Sequence, residues 1–294
     1  MDFQQTDEQT LLADTTRDLL SATYDAETRN KMVDAEPGYS TQVWNQLAEI
    51  GVLGLGLDED SGGQIEIMLV LNEIGRLLAP EPVLHGALGP GAIIAELGTD
   101  KQRALLDEVA AGQRLLAFAH AEPGLRGAAT ATTASREGAC WTLTGTKNPV
   151  LAGDRADTLV VSAALPGGTG TGLFLVDVAG ATGVTRTGYR TFDERRGAQI
   201  EFAGAPAEPL GAATDATESI TRALVRISSG LCAEAVGAMS EALHLTTDYL
   251  KTRKQFGVTL SKFQTLTQRA ADMYVSLELA RSMSLYAAIS IADG

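Results

Sequence analysis

The sequence predicts an α+β multidomain fold in which a β-rich region lies between two helical regions. Apolar residues recur at helical spacing towards both ends of the chain, whereas the middle alternates apolar and polar residues, with Gly, Thr and Pro between short runs. The length of 294 residues suffices for two or three domains. We therefore predict an N-terminal helical domain over 1–113, a middle β domain over 114–212 and a C-terminal helical domain over 213–294.

Helix start and stop signals mark the first region. Thr6–Gln9 and Thr99–Gln102 each match a capping box, in which a threonine and a glutamine three residues later bond each other's backbone amides. Residues 43–50 follow a helical period. Gly51 and Gly112 stand where glycines close helices, because glycine adopts the left-handed conformation at little cost.

Short runs at close spacing predict a small β-barrel or sandwich in the middle region. The candidate strands are Leu115–His120, Thr130–Arg136, Trp141–Gly145, Thr158–Ala163, Gly172–Val178 and Ala198–Phe202.

Two apolar stripes predict a pair of long helices in the last region. One consists of Ile220, Leu224, Ile227, Leu231, Ala235 and Met239, and the other of Phe263, Leu266, Ala270, Met273, Leu277 and Ala280. A short connection at Arg253–Gly257 predicts that the two helices pack as an antiparallel hairpin.

Composition excludes several classes of function. The net charge of −14 and the pI of about 4.6 argue against nucleic acid and against an anionic membrane surface as partners. Cys140 and Cys232 are far apart, as expected of a reduced, intracellular protein. The chain shows no signal-peptide pattern and no apolar run of membrane-spanning length, so we expect a cytoplasmic protein without membrane insertion.

The three histidines, His85, His120 and His244, lack the spacing of metal ligands, so no metal site is predicted. His120 either approaches a ligand or fills a structural role.

The segment Arg253–Gly257, with Phe263–Gln264 after it, is the most informative motif. It resembles the R-K-x-F-G…F-Q signature of the acyl-CoA dehydrogenase family. An arginine fork suits a pyrophosphate, and a glycine permits a sharp turn. Spacing alone would also fit a solvated basic turn. The resemblance implies contacts in trans to FAD held by a neighbouring subunit, made by Arg253, Gln255, Phe256, Phe263 and Gln264.

The resemblance extends over essentially the whole chain. The Gly-rich turn Gly51–Gly63 and the segment Asn72–Pro82 are similar to N-terminal family segments. It implies the acyl-CoA dehydrogenase fold and an oxidoreductase acting on a CH–CH bond. The implied reaction is the α,β-dehydrogenation of an acyl-CoA thioester, with FAD as cofactor and electron-transfer flavoprotein as acceptor. Family members continue past the position of Gly294 with helices that carry the catalytic glutamate, so the C-terminal bundle is expected to be incomplete.

Two segments depart from the family pattern where it contacts flavin. The hairpin T-E-P-G-x-G-S-D begins here with Ala121 in place of threonine, and Gly127 replaces the serine. The segment K-x-W-I-T-N-G begins at Lys147, where Pro149 replaces tryptophan and Leu151 replaces threonine. Proline offers no ring face and no backbone donor, and leucine cannot donate a hydrogen bond. The chain's own isoalloxazine site is therefore predicted to be degenerate.

The catalytic base is also missing from the alternative family position. A few members place the glutamate on the helix before the R-K-x-F-G turn, and that position is Ile227, followed by Ser228 in place of an arginine. Ile227 lies on the apolar stripe, so its expected role is packing. Removal of an α-proton needs a positioned carboxylate. No catalytic residue is predicted.

Three functions remain open at this point. The preferred one is a partner subunit of a heteromeric dehydrogenase, and resemblance to heteromeric members from bacterial steroid side-chain degradation favours a bulky CoA thioester. The second is a self-sufficient homotetramer whose base lies beyond residue 294. The third is a non-catalytic acyl-CoA-binding or scaffold protein of the same fold.

Overall fold

The computed structural model describes residues 5–58, 61–125 and 130–293, which form two compact units. The first unit, hereafter the helical unit, comprises Met1–Thr28, Gly63–Ala79 and Ser228–Gly294. The second, the barrel unit, comprises Arg29–Gly62 and Pro80–Ile227.

The helices of the described chain are α1 (Asp7–Thr23), α2 (Ala26–Asp34), α3 (Thr41–Glu49), α4 (Gln64–Leu77), α5 (Gly89–Leu97), α6 (Asp100–Arg103), α7 (Leu105–Ala110), α8 (Thr217–Thr252) and α9 (Gln264–Ala292). The strands are β1 (Leu116–Ala119), β2 (Thr133–Glu137), β3 (Cys140–Leu151), β4 (Thr158–Ala164), β5 (Thr171–Asp177), β6 (Val184–Arg190), β7 (Arg196–Pro209), β8 (Lys254–Gln255) and β9 (Val258–Thr259). The predicted order of helical, β-rich and helical regions is confirmed.

The predicted helix signals operate as expected. The Thr6 hydroxyl accepts from the Gln9 amide at 3.1 Å and the Gln9 side chain accepts from the Thr6 amide at 3.0 Å. Thr99 caps α6 in the same way. Gly51 and Gly112 close helices with φ of +82° and +72°. Local sequence therefore fixes where these helices begin and end.

A crossing of α4 and α8 at two glycines organises the helical unit. A Cβ atom on Gly75 would lie 2.0 Å from the carbonyl oxygen of Glu234, and one on Gly237 would lie 1.9 Å from that of Asn72. The two backbones are thus in direct contact, which only glycine permits. Helix α4 also packs against α1 and α9.

This crossing corrects the predicted stripe on α8. Its first members are covered, and Ile220 is fully buried, but Leu231 is 42% exposed and Ala235 is also exposed. The buried positions from Ser229 onwards are instead mostly small residues, such as Ala233 and Gly237. Close backbone approach requires small side chains, so the larger apolar residues of α8 point away from α4.

The barrel unit closes on itself. Strands β4, β2, β3, β7 and β5 pair in a ring that returns to β4, with β1 attached to β4 and β6 to β7. Only the β1–β4 and β2–β4 pairs among these are parallel. The interior contains one apolar cluster, which includes Leu143, Phe174 and Ile200. The alternative of a barrel, rather than a sandwich, is therefore the one that the strand pairing supports.

In the barrel unit each predicted strand has a counterpart, but β3 and β7 are much longer than expected and β6 was not predicted. β3 continues past Gly145, which pairs with Phe202, and an irregularity between Lys147 and Val150 accommodates Pro149 before the strand ends at Leu151. β6 was missed because it pairs with β7 alone and is exposed over most of its length, so it lacks an apolar alternation. No helix in the described part of the chain combines the length and apolar character needed to cross a bilayer.

We expect Gly237→Ala to destabilise the helical unit by about 1–3 kcal/mol, since the added methyl must displace backbone. This outweighs the gain of about 0.5–1 kcal/mol that alanine normally brings to a helix. Urea unfolding of the variant measures the difference. Ser228→Ala, at an exposed site on the same helix, is the matched control; equal stability of the two variants would contradict the close crossing.

Candidate functional site

The predicted trans-contact residues lie together at the connection between α8 and α9, hereafter the tip (Arg253–Gln264). Strands β8 and β9 form a two-stranded hairpin there, and the amide of Leu260 donates to the carbonyl oxygen of Arg253 at 2.9 Å. The Phe256 and Phe263 rings lie edge to face with centroids 6.2 Å apart. Gln264 is the first residue of α9.

The tip presents its side chains outward. Phe256 is 91% exposed, and Arg253, Gln255 and Gln264 are also exposed. The Arg253 guanidinium forms no ion pair with any residue in the described ranges. The Gln255 amide donates only to the carbonyl of Lys254, at 2.9 Å. A charged fork, an aromatic ring and amides are therefore free to bind an external ligand.

The backbone at the turn is strained. Phe256 has φ of +52° and Gly257 has φ of +81°, as a tight hairpin turn requires. Glycine takes this conformation freely, but a bulky residue there costs about 1–2 kcal/mol. Strained residues concentrate at ligand contacts, where the surrounding structure holds them in place. An exposed phenylalanine held in this way points to a function for its ring.

The two segments that depart from the flavin-binding pattern lie side by side in the barrel unit, but their backbone groups are already paired. The Asn148 amide donates to the carbonyl of Ala121 at 2.8 Å, and the Ala152 amide donates to that of Arg196 at 3.1 Å. Leu151 pairs with Gly197 in the β3–β7 ladder. Pro149 is exposed and Leu151 half-buried. Position 127 lies outside the described residues.

The described part of these segments offers a flavin few of the groups it needs. A flavin ring edge needs hydrogen-bond donors, and the amides of residues 148 and 152 are already paired within the protein. The side chains of Ala121, Pro149 and Leu151 supply neither a donor nor an aromatic face. The degeneracy of the isoalloxazine site stays a prediction.

A buried ion pair between Lys147 and Glu122 connects the same two segments. The Lys147 side chain is fully buried, and its ammonium donates to the Glu122 carboxylate at 2.6 Å and to the Ser162 hydroxyl at 2.9 Å. It also reaches the Thr130 hydroxyl at 2.9 Å and the carbonyl of His120 at 3.2 Å. The loop before β2 is thereby fastened to β3 and β4 from inside the barrel.

The surroundings shift the pKa values of both members of the pair. Burial alone would raise the pKa of Glu122, but hydrogen bonds from Lys147, Thr130 and the amides of Thr132 and Ala131 outweigh it and lower the pKa to about 2. Burial lowers the pKa of Lys147 to about 8, against the raising effect of Glu122. The carboxylate is thus held ionised over the whole physiological range.

The remaining polar candidates have structural roles. His120 is buried, bonds Ser162 through Nδ1 at 2.8 Å and stacks on Phe118 with ring centroids 5.3 Å apart. This favours the structural role for His120. Ile227 packs against Gly89, where its Cγ1 atom would lie 3.0 Å from an added Cβ, as its predicted packing role requires.

Two arginines near the alternative position of the base are also accounted for. Arg222 and Arg226 both reach the Glu96 carboxylate, at 2.6 and 3.3 Å. They join α8 to α5 as an ion-pair cluster. Neither is free for chemistry.

We expect Glu122→Gln to lower the free energy of unfolding by about 3–5 kcal/mol at pH 7, because it leaves the Lys147 ammonium buried without a counter-charge. The folded pKa of about 2 lies below the ordinary value of 4.5, so the stabilisation by Glu122 is present above pH 4.5 and lost as the pH falls towards 2. Urea unfolding across this range should show wild type converging on the variant in acid.

Glu137→Gln, an exposed carboxylate at the end of β2, is the control and should unfold like wild type. A constant difference between wild type and Glu122→Gln from pH 7 to pH 2 would show that the carboxylate charge is not what matters.

Sequence comparisons place the chain in a family. A family model described as acyl-CoA dehydrogenase, N-terminal domain, matches residues 6–113, and one described as acyl-CoA dehydrogenase, C-terminal domain, matches residues 218–294. The acyl-CoA dehydrogenase FadE12 of Mycobacterium tuberculosis is 29% identical over 277 residues, which cover 85% of this chain and 69% of FadE12.

Solved structures agree. A variant of the Tcur3481-Tcur3483 steroid ACAD is 33% identical with a TM-score of 0.88, covering 98% of this chain and 79% of that one. The ChsE4-ChsE5 complex from Mycobacterium tuberculosis is 26% identical with a TM-score of 0.88, and the match covers 100% of this chain and 80% of that one. A FAD-dependent dehydrogenase is 25% identical with a TM-score of 0.86, and the match covers 100% of this chain and 81% of that one. The chain belongs to the acyl-CoA dehydrogenase family of oxidoreductases.

Proposed function

We propose that this chain is a partner subunit of a heteromeric, FAD-dependent acyl-CoA dehydrogenase and that its tip contacts FAD bound by a homologous neighbour. One contrast carries the proposal. Arg253, Gln255, Phe256 and Gln264 are exposed at the tip, whereas in the described part of the flavin-facing segments the amides of Asn148 and Ala152 are already paired within the protein.

The residues of the tip suit FAD chemically. Arg253 provides a planar, permanently charged fork for a pyrophosphate. Phe256 and Phe263 provide apolar ring surfaces, and Gln255 and Gln264 provide amides that can donate and accept. FAD, when bound, supplies the hydride acceptor for α,β-dehydrogenation of an acyl-CoA thioester. The role of these residues is to bind and orient it.

The division of the site also accounts for the residue at the alternative position of the base. Ile227 occupies the position at which some family members carry glutamate, and it packs in the barrel unit. Proton abstraction from the α-carbon needs a carboxylate within hydrogen-bond reach. In a heteromer the homologous subunit supplies that carboxylate together with the flavin, and this chain completes the binding site.

The proposed substrate is a bulky CoA thioester of the steroid side-chain class. The support for the steroid class is resemblance to the Tcur3481-Tcur3483 steroid ACAD. The support for a pair of unlike chains is that this protein and the ChsE4-ChsE5 complex are each named with two components. Electron-transfer flavoprotein is the proposed acceptor, again by resemblance.

We expect the purified chain alone to show no flavin absorbance and the complex with a homologous subunit from the same genome to show about one FAD per pair of unlike subunits. Arg253→Ala should lower the FAD content of the complex about tenfold or more, since charge-assisted bonds to a pyrophosphate are strong. Lys251→Ala, which removes an exposed charge from the same helix outside the motif, is the control.

A second variant distinguishes the contribution of the Phe256 ring from that of the backbone turn. Phe256→Asn keeps the tight turn, because asparagine tolerates positive φ, but removes the aromatic surface. It should fold at least as stably as wild type and still reduce FAD retention.

The other outcomes identify the rivals. Stoichiometric flavin and turnover of an acyl-CoA by the chain alone would mean a self-sufficient homotetramer. Absence of flavin from every complex with a homologous subunit would mean a scaffold or an acyl-CoA-binding protein.

A further inference from the structure

A small cavity in the barrel unit is lined by three residues that each bury a polar atom without a hydrogen-bond partner among the described residues. The atoms are Nε2 of His85, Oδ1 of Asp154 and Nε of Arg196. Tyr39 and Leu151 line the same cavity. A buried polar atom that makes no hydrogen bond is costly, so three of them around one space point to a ligand that bonds all three.

The cavity joins segments that are far apart in sequence. His85 precedes α5, Asp154 lies in the connection between β3 and β4, and Arg196 begins β7. The connection after β3 is strained at Ala152, whose φ is +58°. This conformation is costly for a residue other than glycine, and contacts with the surroundings must hold it in place.

The Arg196 side chain has little freedom to find another partner. Its Nη2 atom donates to the carbonyl of Ala35 at 3.2 Å and lies 3.4 Å from the Glu36 carboxylate. Its Nε atom lies against Gly38, where an added Cβ would be only 2.5 Å away. The Nε atom is therefore held beside the cavity.

The chemistry of the three atoms selects the ligand. The Nε–H of an arginine can only donate a hydrogen bond, and the oxygen of an ionised carboxylate can only accept one. A cation cannot accept from Arg196, and a simple anion cannot donate to Asp154, whereas water does both. The cavity has a volume of about 20 Å³, and one water molecule needs about 10–15 Å³ and two to four polar partners.

We propose that this cavity binds one internal water molecule that joins His85 to Asp154 and Arg196. The Nε–H of Arg196 donates to the water oxygen, and the two water protons are donated to Oδ1 of Asp154 and Nε2 of His85. The neutral His85 ring then carries its own proton on Nδ1. The water holds the strained connection after β3 to the segment before α5, and it is independent of the contact between the tip and FAD.

The water bridge is sensitive to pH, because a protonated imidazole cannot accept a hydrogen bond. Burial and the nearby Arg195 lower the pKa of His85 to about 4, against the raising effect of Asp193. This folded pKa lies below the ordinary value of 6.5, so the folded protein binds fewer protons than the unfolded chain between pH 6.5 and pH 4. Stability is therefore lost as the pH falls through this window. The other titratable and charged residues that line the cavity are Tyr39, Asp154, Arg155, Arg195 and Arg196.

A crystal structure of the unmodified chain that resolves ordered water tests the site directly. We expect one density peak within about 3.2 Å of Nε2 of His85, Oδ1 of Asp154 and Nε of Arg196. A bromide soak distinguishes water from a small anion, since bromide scatters anomalously. An anomalous peak in the cavity, no density there, or protein partners for all three atoms would overturn the proposal.

A variant gives a second readout in solution. His85→Phe keeps a ring but removes the acceptor, so it should show one long-lived internal water molecule fewer than wild type by magnetic relaxation dispersion. Its unfolding equilibrium constant should also rise roughly a hundredfold less than that of wild type between pH 6.5 and pH 4. His244→Phe, at an exposed histidine on α8, is the matched control and should behave like wild type.

Equal numbers of long-lived water molecules in wild type and His85→Phe would contradict the bridge. If His85→Phe does not fold, the crystal structure of the unmodified chain decides the question by itself.

Discussion

The buried ammonium of Lys147 imposes the constraint on which the barrel unit depends. A charge inside a barrel costs several kcal/mol unless it is paired and hydrogen-bonded where it lies. Glu122 meets that need from the loop before β2, Ser162 from β4 and the carbonyl of His120 from the end of β1. One side chain on β3 therefore fixes the relative positions of three strands and a loop.

The same constraint helps to hold the shape of the two segments that depart from the family's flavin-binding pattern. Their shape is held by bonds within the protein, such as the one from the Asn148 amide to the carbonyl of Ala121. Residues on the outer side, such as Pro149 and Leu151, can then change without loss of the fold. The architecture of these segments therefore does not depend on the side chains at positions 149 and 151.

Backbone contact between helices decides which apolar side chains of the helical unit are buried. The glycine crossing at Gly75 and Gly237 places small residues against α4 and turns Leu231 outward. At the tip, Phe256 is exposed and holds a positive φ that is costly for a bulky side chain. The proposed contact with a cofactor in a neighbouring subunit would account for this phenylalanine.

The sequence by itself determined the order of helical and β regions, the capping boxes at Thr6 and Thr99, and the tight turn at Gly257, because each depends on residues a few positions apart. It also located the tip residues through a contiguous motif. Tertiary structure alone decided which side of α8 is covered, that β6 joins the sheet, and that Glu122 meets Lys147. These outcomes depend on contacts between distant segments, and apolar periodicity shows that a helix has a face without showing what covers it.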